Sequence, residues 1–331
     1  MITIFTGAGA SRALGYPTTA EFFSHEIGQR LQKSEVYIQA KQYFRKSEVI
    51  DVEDLLRLLQ PFVSLTTTPT WEFIHPSLPN HWCRQIPSFV TDINRACFDL
   101  YGSRVSKDDV RQAYMPLLNL FDWKNRRINL FTTNYDPSTD TLLTLADENN
   151  VKNHDGFGRL GMWDPEAYQN TESANLSIYR LHGSMSWVKQ GNSILNTREY
   201  TARIPGHTEH LIIYPGFKGS PEEDDIHPAF THAHSALRED LSACNLLIII
   251  GFSFRDPYLN TIFMNCLKSN EKLNIVVLNP VKPECAESGL GDILRSFERR
   301  ITFLPHRFGS REAIAEMKKI LSRMNLRDKN G

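Results

Sequence analysis

The sequence is poor in cysteine, and the few present are badly spaced for a metal. Its five cysteines, Cys83, Cys97, Cys244, Cys266 and Cys285, are odd in number and no C-x-x-C pair occurs. That removes the usual zinc-ribbon pattern and an evenly paired disulfide framework, and it points to a reducing, cytoplasmic compartment. Net charge is missing too: 37 Lys and Arg stand against 38 Asp and Glu, leaving −1. No global basic field therefore favours nucleic acid or an anionic membrane, and the Arg126-Arg127 and Arg299-Arg300 pairs read as solvated strand flanks. The longest apolar run, Leu246 to Ile250, is far too short to span a bilayer. Met1–Thr6 lacks the charged start of a signal peptide. Repeats, coiled-coil heptads and low-complexity tracts are absent as well.

What is present is alternation of strand and helix signals. Met1–Thr6 reads as a buried strand, Pro17-Thr18-Thr19 as helix-start chemistry, and Glu21–Leu31 as a helix. Helical periodicity then dominates from Gln32 to Trp123, over Val52–Phe62, Ser88–Tyr101 and Asp108–Phe121, with connections at Pro69, Pro76 and Pro79. Strand character resumes at Arg127–Phe131, followed by a helix over Thr139–Asn149 and an irregular stretch from Val151 to Asn175. Leu176–Leu181 is the next strand. Ser184–Lys189 and Asn192–Asn196 suggest a hairpin around Gln190-Gly191. His210–Tyr214 reads as a strand, followed by Pro215-Gly216 and the acidic loop Glu222–Asp225, and then a helix over His227–Ser242. The last third reads as strands at Leu246–Ile250, Leu273–Leu278 and Arg300–Leu304. Helices are expected at Pro257–Lys268, Ile293–Phe297 and Arg311–Met324. The expected fold is α/β: a Rossmann-like parallel sheet flanked by helices, carrying an inserted helical module. Residues 1–31 and 124–331 would form the first unit and 32–123 the second.

Several strand ends carry residues that can do chemistry. Gly7-Ala8-Gly9-Ala10-Ser11 comes after the first strand and fits either a tight turn or a pyrophosphate cradle. It departs from G-x-G-x-x-G, because Arg12 stands where the third glycine would be. The acid that a dehydrogenase places after its second strand is also missing. Thr132-Thr133-Asn134-Tyr135-Asp136 delivers an amide and a carboxylate to a strand end. Helix capping by Asp136 or Ser138 would explain one acceptor but leaves Asn134 without a purpose. His182, before Gly183-Ser184, is either one of eleven ordinary histidines or a proton acceptor. Gly251-Phe252-Ser253 and Asn279 fit backbone approach to a ribose or phosphate, or plain turns.

Taken in order, GAGAS, TTNYD, LHGS and GFSFRDPYLN resemble the sirtuin superfamily, and more closely the sirtuin-like domains of bacterial antiphage systems. The resemblance covers residues 1–31 and 127–304. The four-cysteine zinc module of the protein deacylases is missing, as is their Pro-Asp-Phe-Arg run, where this chain has Pro17-Thr18-Thr19-Ala20. What the resemblance implies is cleavage of NAD by water to nicotinamide and ADP-ribose, with NAD as substrate and no metal. Asn134 and His182 would be catalytic. Gly7, Ala8, Gly9, Ser11, Thr18, Thr133, Asp136, Gly251, Ser253 and Asn279 would hold the dinucleotide. A HerA-type ATPase, an Argonaute-type protein, a phage component or self-association is the implied control. The alternatives are a sensor of NAD or an ADP-ribose derivative that hydrolyses nothing, and an NAD-dependent deacylase.

Overall fold

The protein is described by a computed structural model over residues 2–44, 50–66, 82–103, 105–158, 161–166, 174–190, 193–197, 210–212, 228–281, 291 and 296–328. Its centre is a seven-stranded sheet of order β10-β9-β8-β1-β2-β4-β3. The strands are β1 (Ile2–Thr6), β2 (Ile128–Thr132), β3 (Asn153–His154), β4 (Leu176–Arg180), β8 (Leu246–Ile250), β9 (Asn274–Leu278) and β10 (Ile301–Leu304). Every pairing in it is parallel. A second sheet, β6-β5-β7, is antiparallel and comprises β5 (Gly183–Gln190), β6 (Ser193–Asn196) and β7 (His210–Ile212).

Side-chain alternation explains why the large sheet is covered on both faces. Ile4, Ile128, Leu130, Ile248 and Ile250 enter one hydrophobic cluster, while Phe5, Phe131, Leu247 and Ile249 enter another. Successive strand residues point to opposite faces, so a strand apolar at every position must be covered on both. The first face is covered by Val110, Tyr114 and Leu118 of one helix (Lys107–Leu120), by Leu142 and Leu143 of another (Ser138–Glu148), and by Met317 of the last (Arg311–Asp328). Leu237 and Leu241 of Pro228–Ala243 and Leu259 and Phe263 of Pro257–Ser269 cover the second. Among the described residues, no helix is long and apolar enough to cross a membrane.

A third cluster lies apart from the sheet. Phe22, Phe23, Val36, Tyr37, Leu55, Leu56, Leu59, Phe89, Val90, Ile93 and Leu100 pack together, joined by Met185 of β5. They come from Thr19–Ser24, Glu35–Tyr43, Val52–Thr66 and Trp82–Tyr101. The helical stretch 32–123 thus divides, since Lys107–Leu120 packs on the sheet. No strand lies among its described residues.

Three expectations change. Glu21–Leu31 is not one helix: a 3₁₀ turn over Thr19–Ser24 is succeeded by Glu26–Gln29 and a further 3₁₀ turn over Arg30–Lys33. Thr18 and Glu21 form a capping box, and His25 is extended (ψ 147°) with its ring accepting from Ile27 N–H, so a new start interrupts the run. Helix Trp82–Tyr101 continues through Pro87, upstream of the expected start at Ser88. The irregular stretch contains the short edge strand β3, paired to β4. Cys285, the prolines at 69, 76 and 79, Gly191, Pro215-Gly216, Glu222–Asp225 and most of Ile293–Phe297 lie outside the described residues, as does the side chain of Cys83.

One buried ionic network fixes the β4 end of the sheet. Arg180, 0% exposed, donates from Nε to Thr139 Oγ1 (3.1 Å) and from Nη2 to Asp140 Oδ1 (2.7 Å), and Nη1 lies 3.6 Å from Asp155 Oδ2. Ser186 of β5 donates to Asp140 Oδ2 and Asn196 of β6 to Asp155 Oδ2. A planar guanidinium between carboxylates suits such a site because the charges remain fixed and paired. It ties the small sheet to the large one directly beside His182.

Candidate active site

A cavity of about 1000 Å³ runs along the C-terminal edge of the large sheet. Residues beyond the ends of six neighbouring strands line it: Arg307 to Ser310 after β10, Asn279 after β9, Gly251 to Asp256 after β8, Ala8 and Gly9 after β1, Thr133 to Asp136 after β2, and His182 after β4. This is the edge at which open α/β sheets hold ligands. At the usual strand spacing of about 4.8 Å, those six strand ends extend over roughly 24 Å.

The turn from β1 into the short helix Ala8–Arg12 meets the loop after β8 backbone to backbone. Gly7 N–H donates to Ile250 O (2.9 Å) and Gly9 N–H to Gly251 O (2.8 Å). A Cβ on Gly9 would stand 2.7 Å from Gly251 Cα, and Gly251 itself has φ +64°. These glycines therefore serve close approach of two chain segments, and their amides are consumed within the protein. Ala8, the first residue of the short helix Ala8–Arg12, lines the cavity. Two asparagines pin the β8 loop: Asn279 Nδ2 donates to Phe252 O (2.8 Å) and Asn260 Nδ2 to Phe254 O (2.7 Å). Phe254 carries φ +59°, unusual for a buried aromatic residue. Its ring is held edge-on to Phe263 and tilted against Phe252.

At the β2/β4 end the polar groups are buried and mutually bonded. Asn134 Nδ2 donates to Gly7 O (2.9 Å), which leaves Oδ1 as the other polar atom of that amide. Asp136 accepts from Ser11 Oγ (2.5 Å) on one oxygen and from Ser138 N–H (3.0 Å) on the other. It thus both accepts from the first N–H of helix Ser138–Glu148 and joins the first glycine motif to the second motif. Met185 N–H donates to Tyr135 O (2.9 Å), fixing the motif to β5. His182, 6% exposed, has Nε2 3.7 Å from Asp256 Oδ2, while Asp256 Oδ1 caps helix Pro257–Ser269 through Tyr258 and Leu259 N–H.

The helical cluster closes this end. Asp51, Glu53, Cys97 and Tyr101 all line the cavity. Arg255 Nη1 reaches Asp51 Oδ2 (3.0 Å), which also accepts from Thr19 Oγ1 (2.9 Å). Burial raises the Asp51 carboxyl, opposed by these partners. Burial also pushes the Cys97 thiol and the Tyr101 phenol far up, so neither supplies an anionic nucleophile at neutral pH.

Ala8, Gly9, Ser11, Thr18, Thr133, Asn134, Asp136, His182, Gly251, Ser253 and Asn279 all line this one cavity, with Gly7 behind it through the Asn134 bond. Sequence reading missed Asp256, which looks like an N-cap before Pro257. It also missed Asp51, Glu53 and Arg255, which offer no signal beyond being charged, and Arg307.

A family profile for the SIR2-like domain matches residues 128–288. This stretch is similar to SIR2-like domains. It contains Asn134, Asp136, His182, Gly251, Ser253, Asp256 and Asn279, and its sheet is completed by β1 and β10. Solved Sir2 structures are similar to the whole chain. One is a Sir2 homolog–NAD complex (14% identity, TM-score 0.44, covering 97% of this chain and 89% of that one). Another is a Sir2 homologue mutant with ADP-ribose (14%, TM-score 0.43, 97% and 92%). A third is Sir2Tm bound to a propionylated peptide (11%, TM-score 0.40, 98% and 93%). No curated protein matches the sequence.

Proposed function

We propose that the chain hydrolyses NAD⁺ to nicotinamide and ADP-ribose. The observation that carries this reading is the meeting of Asn134, Asp136 and His182 with the glycine loop in one cavity on the C-terminal edge of a SIR2-like sheet. The dinucleotide lies along that edge. Its pyrophosphate is placed over Ala8 and Ser253 near the β1/β8 junction, and its nicotinamide riboside is placed at the β2/β4 end.

Cleavage breaks the bond between the sugar C1′ and the pyridinium nitrogen. The bonding pair stays on that nitrogen, so nicotinamide departs neutral and needs no acid. Water bonds to C1′ and loses a proton. Asn134 Oδ1 orients the ribose and the water, with its NH₂ held by Gly7 O. His182, with Nε2 3.7 Å from Asp256 Oδ2, takes the proton or holds a ribose hydroxyl. Asp136 faces the carboxamide while it anchors Ser11. Thr18 and Thr133 lie on the wall. A buried, prearranged polar site of this kind suits a cationic transition state. Residues 1–31 and 124–331 would carry the dinucleotide, and the helices of 32–123 that do not pack on the sheet would cover the chemistry.

An intracellular NAD hydrolase must be gated. Depletion of NAD in antiphage defence, released by a partner ATPase, an Argonaute-type protein, a phage component or self-association, is the setting that the family resemblance implies. The test is nicotinamide release from NAD⁺, by the protein alone and with each candidate partner, beside calorimetric binding of ADP-ribose. Release that disappears in Asn134→Ala and His182→Ala is the expected result. Binding without release in every arm overturns hydrolysis.

A further inference from the structure

The charges lining the cavity are unevenly distributed. Its carboxylates, Asp51, Glu53, Asp136 and Asp256, all belong to the β8 loop, the β2 motif or the helical cluster. Around the ends of β9 and β10 the described lining is Leu278, Asn279, Pro280, Val281 and Arg307 to Ser310, with no carboxylate among them.

Three arginines line the cavity, and two are already neutralised. Arg12 pairs with Glu21 at 2.5 Å and Arg255 with Asp51 at 3.0 Å. Arg307 has no carboxylate partner among the described residues, and it is exposed. Its position is fixed by the backbone: Ser310 N–H donates to Arg307 O (3.2 Å) across a turn in which Gly309 has φ +78°. Asn279 N–H donates to Leu304 O (3.1 Å), which holds the β9 end against the β10 end. Ser310 caps the last helix through Ala313 N–H, leaving its O–H free to donate.

In a Rossmann-type site, an acid after the second strand favours a free adenosine 2′-hydroxyl, whereas an arginine nearby accommodates a 2′-phosphate. The adenosine end of this cavity has the arginine and, among its described lining residues, no acid. We propose that the site accepts dinucleotides phosphorylated on the adenosine ribose, so that NADP⁺ is a substrate alongside NAD⁺, with Arg307 holding the 2′-phosphate. The inference rests on the nucleotide reading of the cavity. The reaction is unchanged: water replaces nicotinamide at C1′, and the second product is 2′-phospho-ADP-ribose.

The experiment is isothermal calorimetry of ADP-ribose and 2′-phospho-ADP-ribose with the full chain and with Arg307→Ala and Arg307→Lys. Binding requires no turnover, so the result is independent of gating and of hydrolysis. The 2′-phosphorylated ligand is expected to bind at least as tightly as ADP-ribose. The ratio of the two affinities is expected to fall about tenfold in Arg307→Ala, as for the loss of one charge-assisted contact, and partly to recover in Arg307→Lys. If ADP-ribose binds while the phosphorylated form is rejected, the proposal is overturned. An equal loss for both ligands in Arg307→Ala overturns it too, since Arg307 would then serve the adenosine alone. If neither ligand binds, it is the nucleotide reading that fails.

Discussion

Asn134, Asp136, His182 and Asp256, at one end of the cavity, are buried and bonded to neighbouring segments, whereas Ser253 and Arg307, toward the other, are exposed. The difference matches what the proposed hydrolysis would ask of each end. Charge that develops during bond cleavage is stabilised by dipoles that need not move. A ribose and its substituents need only be held, and a solvated edge can do that. The buried end depends on deep support from the Arg180 network, the Ser11–Asp136 bond and the loop contact at Gly251. The open end depends on short turns.

Removing the deepest support is expected to have the largest effect. Arg180→Met leaves Asp140 and Asp155 buried without their cation, a loss of about 3–5 kcal/mol. Urea denaturation should show a large fall in midpoint; a near-native midpoint would mean that the two sheets are joined by packing alone. Next, Asn134→Ala and His182→Ala should each lower nicotinamide release by about a hundredfold or more, with thermal midpoints close to the parent's. Gly251→Ala should lose more than about 2 kcal/mol, because its positive φ and the crowding against Gly9 and Ala10 act together. Thermal unfolding would measure it, and a neutral result would show that the two loops can separate.

The smallest effect is one of pH. Burial lowers the pKa of His234, whose Nδ1 bonds Phe230 O at 2.8 Å. A histidine depressed in the folded state is held neutral there, so its contribution is full above the unfolded value of about 6.5 and is lost as pH falls below it. His234→Gln should therefore flatten the decline in thermal midpoint between about pH 7 and pH 5. An unchanged slope would trace that decline to other groups.

Much of this was legible because buried parallel strands announce themselves. Leu246–Ile250 is apolar throughout and runs straight into Gly251, while Leu176–Leu181 is largely apolar and runs into His182. Sequence order alone then delivers Asn134, His182 and Asn279 to the same edge. Asp256 was hidden because capping a helix and approaching His182 use different oxygens of one carboxylate. Asp51 and Arg255 are far apart in the chain, and only folding brings them together. The break at His25 escaped notice because apolar spacing over Glu21–Leu31 continues through a residue whose backbone is extended.

The register of β1 has a consequence for how the molecule comes into being. Ile2 lies opposite Ile128 on one side and Leu246 on the other, so the central strand waits for both partners. The cluster built from residues 22 to 100 draws mainly on nearby sequence and can condense early. During synthesis the N-terminal strand remains unpaired on its β8 side until residues 246–250 have emerged. The Gly9–Gly251 junction can close only after that. The cavity, lined from both sides of that junction, therefore forms only after β8 has been made.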